Sequence, residues 1–189
     1  MVRRLSLMIV FLMTSVMTVK VRAHIELNAF YTSETLAEAT STNNTRMFVE
    51  GAIGFAIDKK MHWNVGWNYS MMNTTDSTSS TTTYASTQMG PRLLWFMNKD
   101  KTWSLGLGYY VVTNATFTGS DGTSAKWKGT AIKADLGYNY PIGETFFAGI
   151  RLNYSSASYN ERIEGATNYT TVGYSKTAMY PSISTVWVF

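Results

Sequence analysis

Six ionisable side chains fall inside segments that are otherwise poor in charge: Glu26, Glu50, Arg92, Lys133, Asp135 and Arg151. Acids and bases in such surroundings could line a polar path or ion site, or neutralise one another in a buried plug. Either way they must be paired and hydrogen-bonded, because an unpaired buried charge is costly. General-base chemistry commonly uses histidine beside an acid or nucleophile. Beyond residue 23 only His24 and His62 are available, and neither stands in a recognisable constellation. There is no cysteine, which excludes disulfides and thiolate metal sites. No Gly-rich phosphate loop, zinc motif or nucleophile elbow occurs. The residues therefore imply no cofactor and no metal.

The elements that carry these residues begin after an atypical prefix. Arg3 and Arg4 form a basic start, residues 5–19 are largely apolar, and Val21-Arg22-Ala23 resembles a small-residue cleavage site. This order is that of a secretory signal peptide, assigned to residues 1–23, and its apolar run is shorter than the roughly 20 residues a spanning helix needs. The prefix holds four of the 16 basic residues and none of the 12 acidic ones. Residues 24–189 are thus electrically balanced, and nucleic-acid binding loses its main support.

Over residues 24–189 the recurring pattern is alternation with period two, the mark of strands with two different faces. Ile25, Leu27, Ala29 and Tyr31 alternate with Glu26 and Asn28. Trp63, Val65, Trp67 and Tyr69 oppose Asn64, Gly66 and Asn68, and Trp103, Leu105, Leu107 and Tyr109 oppose Ser104, Gly106 and Gly108. Phe146 to Tyr154 repeats the pattern, and weaker versions fall at 49–57, 84–97, 130–140 and 179–189. Eight strands result. The intervening segments alternate in length: long at 34–45, 72–83, 113–127 and 156–171, short at 58–60, 98–102 and 141–144. The long ones are rich in Thr, Ser, Asn and Gly, as solvated loops are.

Volume decides which face points out. An eight-stranded barrel has an interior just wide enough for its own side chains. The parity holding Trp63, Trp67, Trp95, Trp103 and Trp187 is too bulky for that lumen, whereas the parity of Gly, Ala, Ser and Asn fits. Trp63, Trp95 and Trp103 lie beside short turns, and Tyr31, Tyr69, Tyr109 and Tyr154 lie near the opposite strand ends. Amphipathic rings at both ends suit the two girdles of a membrane-spanning barrel. At ~3.3 Å per residue and a tilt of about 40°, Trp63 and Tyr69 are separated by roughly 15 Å along the membrane normal.

On these residues the chain resembles the small eight-stranded outer-membrane β-barrel proteins of Gram-negative bacteria. The fold expected is an all-β, antiparallel up-and-down transmembrane barrel over 24–189, located in the cell outer membrane. In that family a terminal aromatic with alternating apolar residues resembles the recognition signal for the barrel-assembly machinery. Carried over, the signal is Ile183, Trp187 and Phe189, although Thr185 and Pro181 fit that parity less well. No further domain is read after the barrel. The resemblance also implies contact with outer-membrane lipid and lipopolysaccharide.

The six charges fall on the inward parity, most of them about five to seven residues from the inner strand ends, with Glu26 nearer the bottom. They are expected to form one layer that plugs the lumen. Pro91 and Pro181 fall in strand interiors, where a missing N–H removes a ladder bond. A bulge at Gly90-Pro91 would absorb the first but flip the parity above it. Function is read as non-enzymatic: a rigid mount for long outer loops that meet an unidentified extracellular partner, a surface or lipopolysaccharide. Lys126 and Lys128, near the third long loop, could meet lipid phosphates, though solvated loop charges are the simpler account. Two alternatives stay open, a narrow conduit for small molecules or ions and an outer-leaflet lipid-modifying enzyme.

Overall fold

A computed structural model describes residues 22–36, 42–77, 81–165 and 170–189. The signal-peptide assignment falls almost entirely outside these residues. Eight antiparallel strands follow one another in chain order and close into a barrel. They are β1 (Ala23–Leu36), β2 (Thr42–Ala56), β3 (Trp63–Asp76), β4 (Thr82–Phe96), β5 (Trp103–Thr118), β6 (Ser124–Pro141), β7 (Phe146–Glu164) and β8 (Thr170–Val188).

The strands run well beyond the expected ends, and this corrects the loop reading. Segments 113–127 and 156–171 are largely ladder: Thr118 still pairs Ser124, and Arg162 still pairs Thr170. At this end the strands are separated only by 37–41, 77–81, 119–123 and 165–169. These gaps are no longer than the inner turns at 57–62 and 97–102. What alternates is strand overhang, not loop length. Threonine and tyrosine are good strand residues, so a Thr-rich segment in water can remain sheet when its inner face is buried. Polarity alone had marked it as loop.

The first two inner turns share one construction. Asp58 accepts hydrogen bonds from the amides of Lys60 and Trp63, the latter at 2.7 Å, while Asn98 accepts one from the amide of Trp103 at 3.1 Å. In each, the residue three positions after the Asx adopts positive φ, Met61 at 58° and Lys101 at 56°. Asx side chains that bond nearby amides are a standard way to close turns. Here the same device fixes a tryptophan five residues later, at the first position of β3 and of β5.

The parity assignments hold in the lower barrel. Ile150 and Ile183 are 65% and 69% exposed, whereas Arg151 and Ser184 on the opposite face are fully buried. Along β4 the even residues from Tyr84 through Phe96 are all buried, so no flip occurs at Gly90-Pro91. The irregularity lies across the ladder, on β5, where Tyr110 pairs Ala131 and the next paired residue is Thr113. Val111 and Val112 both face outward there, and the buried parity changes from even to odd. Pro91 lies opposite this bulge, where β4 and β5 are locally unpaired, so its absent N–H costs no ladder bond. Pro181 lies beyond Ala29–Ile183, the last β1–β8 pair, and so borders a stretch of β8 that β1 does not cover.

The lumen is filled in three layers. At the inner end Met61, Leu94, Phe96, Phe147, Val186 and Val188 form an apolar plug. The charged residues lie above it. Above them Tyr84, Tyr110, Ala115, Ala131, Ala157 and Tyr159 form a second apolar cluster, against which Met72, Phe117 and Trp127 pack. The expectation that the inward parity holds only small residues and a few charges is therefore corrected. The six paired charges occupy the middle, and bulky apolar residues join the small ones above and below them.

Candidate functional site

The middle layer is built from β1, β2, β4, β6 and β7, each contributing one or two inward side chains at adjacent levels. Arg92 on β4 reaches in two directions. Its guanidinium donates to Glu26 at 2.8 Å and 3.2 Å, and to Asp135 at 2.7 Å and 3.1 Å. Arg151 on β7 closes the group, with Nη1 donating to Asp135 at 2.6 Å and Nε 3.4 Å from Glu26. Two guanidiniums and two carboxylates thus alternate in a ring. Two-point guanidinium–carboxylate contacts of this kind fix orientation as well as charge.

A second, smaller group joins the first through Asn28. Its amide nitrogen donates to Glu26 at 2.7 Å and to Glu50 at 2.8 Å. Glu50 also accepts from Lys133 Nζ and, at 2.8 Å, from the Tyr110 hydroxyl. Tyr110 in turn accepts from Asn68 at 3.0 Å. All six predicted charges meet in this one network, three cations and three carboxylates, each at most 3% exposed. Glu26, expected nearer the bottom, is a full member. The rise along tilted strands brings its level to that of Arg92 and Arg151.

Glycines make the room. A Cβ on Gly106 would lie 2.3 Å from Asp135 Oδ2 and 2.5 Å from Arg92 Nη2. One on Gly137 would lie 3.2 Å from Arg151 Cγ. The small inward residues that identified the lumen are thus the spaces into which neighbouring guanidiniums extend. His24 is buried at the inner end beside Gly54, and His62 lies in the first inner turn. Neither joins the network. Among the described residues no group of His, Asp and Glu is arranged to hold a metal ion.

Outside, the aromatic residues gather as the register dictates. Trp63 stacks on its cross-strand partner Trp95 with centroids 5.1 Å apart, and Trp103 meets Tyr138 edge-on at the same distance. Phe146 packs on Trp187 at 4.7 Å. Tyr31, Tyr69, Tyr109 and Tyr154 all point outward on odd-numbered strands and are each at least 40% exposed. Ile183 faces outward. Terminal Phe189 donates its amide to the carbonyl of Ala23 at 2.8 Å, tying the chain end to the start of β1.

Sequence reasoning missed the upper cluster. Trp127 stacks on Phe117 at 5.7 Å and on Tyr174 at 5.4 Å, and the hydroxyls of Tyr84 and Tyr159 are hydrogen-bonded to each other. The signal was present in β7, where Ser156, Ser158 and Asn160 alternate with Ala157 and Tyr159. The bulky members there occupy the parity that is polar lower down.

No family model matches the chain, and no curated protein matches it. Among solved structures the fold is similar to Neisserial surface protein A, at 10% identity and a TM-score of 0.50, over 89% of this chain and 97% of that one. The translocator domain of the autotransporter NalP from Neisseria meningitidis also matches, at 13% identity and a TM-score of 0.38, over 96% of this chain and 66% of that one. At 10% identity the first likeness is one of fold alone, and the second is too loose to bear on it.

Proposed function

We propose that this chain is a non-enzymatic barrel of the Gram-negative outer membrane that holds four rigid, water-exposed β-hairpins above the bilayer as an interaction surface. The observation that carries this reading is the reversal of polarity along the strands. Lower down, Ile53, Leu107, Ile150 and Ile183 face out while the charges face in. Higher up, Thr, Ser, Asn and Lys face out while tyrosines and phenylalanines face in. Hydrocarbon around the lower part and water around the upper part account for both halves. Aromatic rings at the limits of the apolar zone suit the two interfaces.

A structural role fits the lumen better than conduction. The charges neutralise one another, and an apolar plug lies beneath them. Catalysis at the outer leaflet would need reactive groups at the upper end, and both histidines lie at the inner end. Export by residues 1–23, assembly through Ile183, Trp187 and Phe189, and contact with lipopolysaccharide near Lys126 and Lys128 complete the reading. Both lysines face outward on the upper part of β6.

Two measurements test the proposal together. Boiled and unboiled samples are expected to migrate differently on an SDS gel, and the folded protein in planar bilayers is expected to pass no current. Stepwise conductance would replace the mount with a conduit. An altered lipid A profile on expression would replace it with an enzyme.

A further inference from the structure

The barrel is unevenly sewn. β1 pairs with β2 from Ala23 to Leu36, but with β8 only from His24–Val188 to Ala29–Ile183. Above that point β8 continues upward as an edge unpaired with β1, beginning near Pro181, whose missing N–H suits an unpaired edge. Behind the gap the upper lumen holds a cavity of about 410 Å³. Phe30, Phe48, Met72, Tyr84, Phe117 and Tyr180 give it apolar walls. Arg46 and Lys176 also line it, with Asp76 as an acidic residue on its rim.

Two details give this space a chemical bias. Lys176 Nζ lies 3.7 Å from the centroid of the Tyr84 ring. Among the described residues it forms no ion pair with a carboxylate. A cation held on an aromatic face is positioned without being neutralised. The cavity also extends to Met47 and Met179, which face outward and are exposed. There it meets an external groove of about 550 Å³ lined by Ala29, Tyr31, Val49, Ile150, Pro181 and Ile183. The two spaces share Phe30, Met47 and Phe48. A lumenal cavity with cations and a belt-level apolar groove are thus neighbours across the top of the seam.

We propose that the β1–β8 seam is a lateral binding site for a single-chain amphiphile with an anionic head, entering from the outer leaflet. The acyl chain lies in the groove along Ile150, Pro181 and Ile183. The head group enters the cavity and meets Lys176 and Arg46. This rests on the reading that the lower belt is in a bilayer. A fatty acid and a lysophospholipid share the required chemistry.

Photolabelling of the folded barrel in phosphatidylcholine vesicles tests this, with three diazirine probes: palmitate, its methyl ester and lysophosphatidate. All three should label the belt around Leu107. The two anionic probes should in addition label residues 46–48 and 176–183, and whichever does so more strongly identifies the head group preferred. Lys176→Gln should reduce that labelling by palmitate about tenfold, the loss of one charge-assisted contact. Ala178→Trp, which fills the cavity, should abolish it while the variant keeps its gel shift on boiling. Equal seam labelling by the ester, or undiminished labelling in Lys176→Gln, would overturn the site. Belt labelling without seam labelling would overturn it and leave the membrane reading intact. Failure to label even the belt would overturn both.

Discussion

On β7, Ile150, Leu152 and Tyr154 point away from the barrel axis while Arg151 and Asn153 are buried; further along the same strand Ser158 and Asn160 point away while Ala157 and Tyr159 are buried. The backbone alone does not account for this reversal, since up to Tyr159 both stretches are antiparallel ladder paired on both sides, and a bulge falls only at Asn160. The surroundings do. In hydrocarbon, outward apolar groups are at home and the lumen can hold a neutralised polar network. In water, the hydrophobic effect acts inward and the same cylinder needs an apolar core. On the proposed placement in a membrane, one fold therefore follows membrane rules below the tyrosines and soluble-protein rules above them. The glycines Gly106 and Gly137 belong to the first regime, the Trp127–Phe117 stack to the second.

The sharpest separation of the two regimes comes from breaking each core. Arg92→Leu leaves Glu26 and Asp135 buried with one guanidinium between them. It should destabilise the refolded barrel by about 3–5 kcal/mol in urea titrations, or prevent folding. Tyr159→Phe removes one hydroxyl from the upper cluster and should cost only about 1 kcal/mol. Comparable losses would mean that the middle layer is not a tight ionic core.

Arginine scanning of the outer face addresses the other side of the wall. Ile150→Arg should cost about 2–4 kcal/mol, the penalty for a cation against lipid near mid-membrane, and Ser158→Arg about 0–1 kcal/mol. Equal tolerance at both sites would remove the boundary between the regimes.

These contrasts bear on what the amino-acid sequence could disclose. Strand number, barrel closure, the facing of Trp63, Leu107 and Ile150, and the membership of the charged layer were all legible, because period-two alternation and lumen volume are local and quantitative signals. The overhangs were not, because Thr- and Ser-rich stretches are equally compatible with loop and with strand in water. The inner plug was hidden for a different reason. Leu94, Phe96 and Phe147 lie at strand ends, where an inward apolar residue resembles a break in the pattern. The bulge appeared on β5 and not beside Pro91, since parity alone cannot tell which of two paired strands carries the extra residue.

Glycine substitutions probe the middle layer at finer scale. Gly106→Val places carbon into Asp135 and Arg92 and should cost about 1–3 kcal/mol. Gly108→Ala, whose nearest neighbour would be at 3.7 Å, should change the unfolding midpoint little. Smaller still is the effect expected at the inner turn. Slight burial opposes ionisation of Asp58, yet the amides of Trp63, His62 and Lys60 hold its carboxyl below the ordinary value. Its contribution is therefore full above the ordinary carboxylate pKa and is lost as pH falls through its own lower value. Asp58→Ala should cost about 0.5 kcal/mol at neutral pH, the low end for side chains that cap exposed backbone amides. The gap from the parent protein should close in acid.

The chain has no cysteine, so single cysteines carrying spin labels can be placed on its outer face without background. With the barrel in lipid vesicles, labels at residues 65, 107 and 150 should be relaxed by dissolved oxygen and shielded from a water-soluble nickel chelate. Labels at 116, 158 and 175, on the same outer surface but above the tyrosines, should show the reverse. Uniform access of the nickel chelate to all six positions would contradict the division of this barrel into a lipid-facing and a water-facing half.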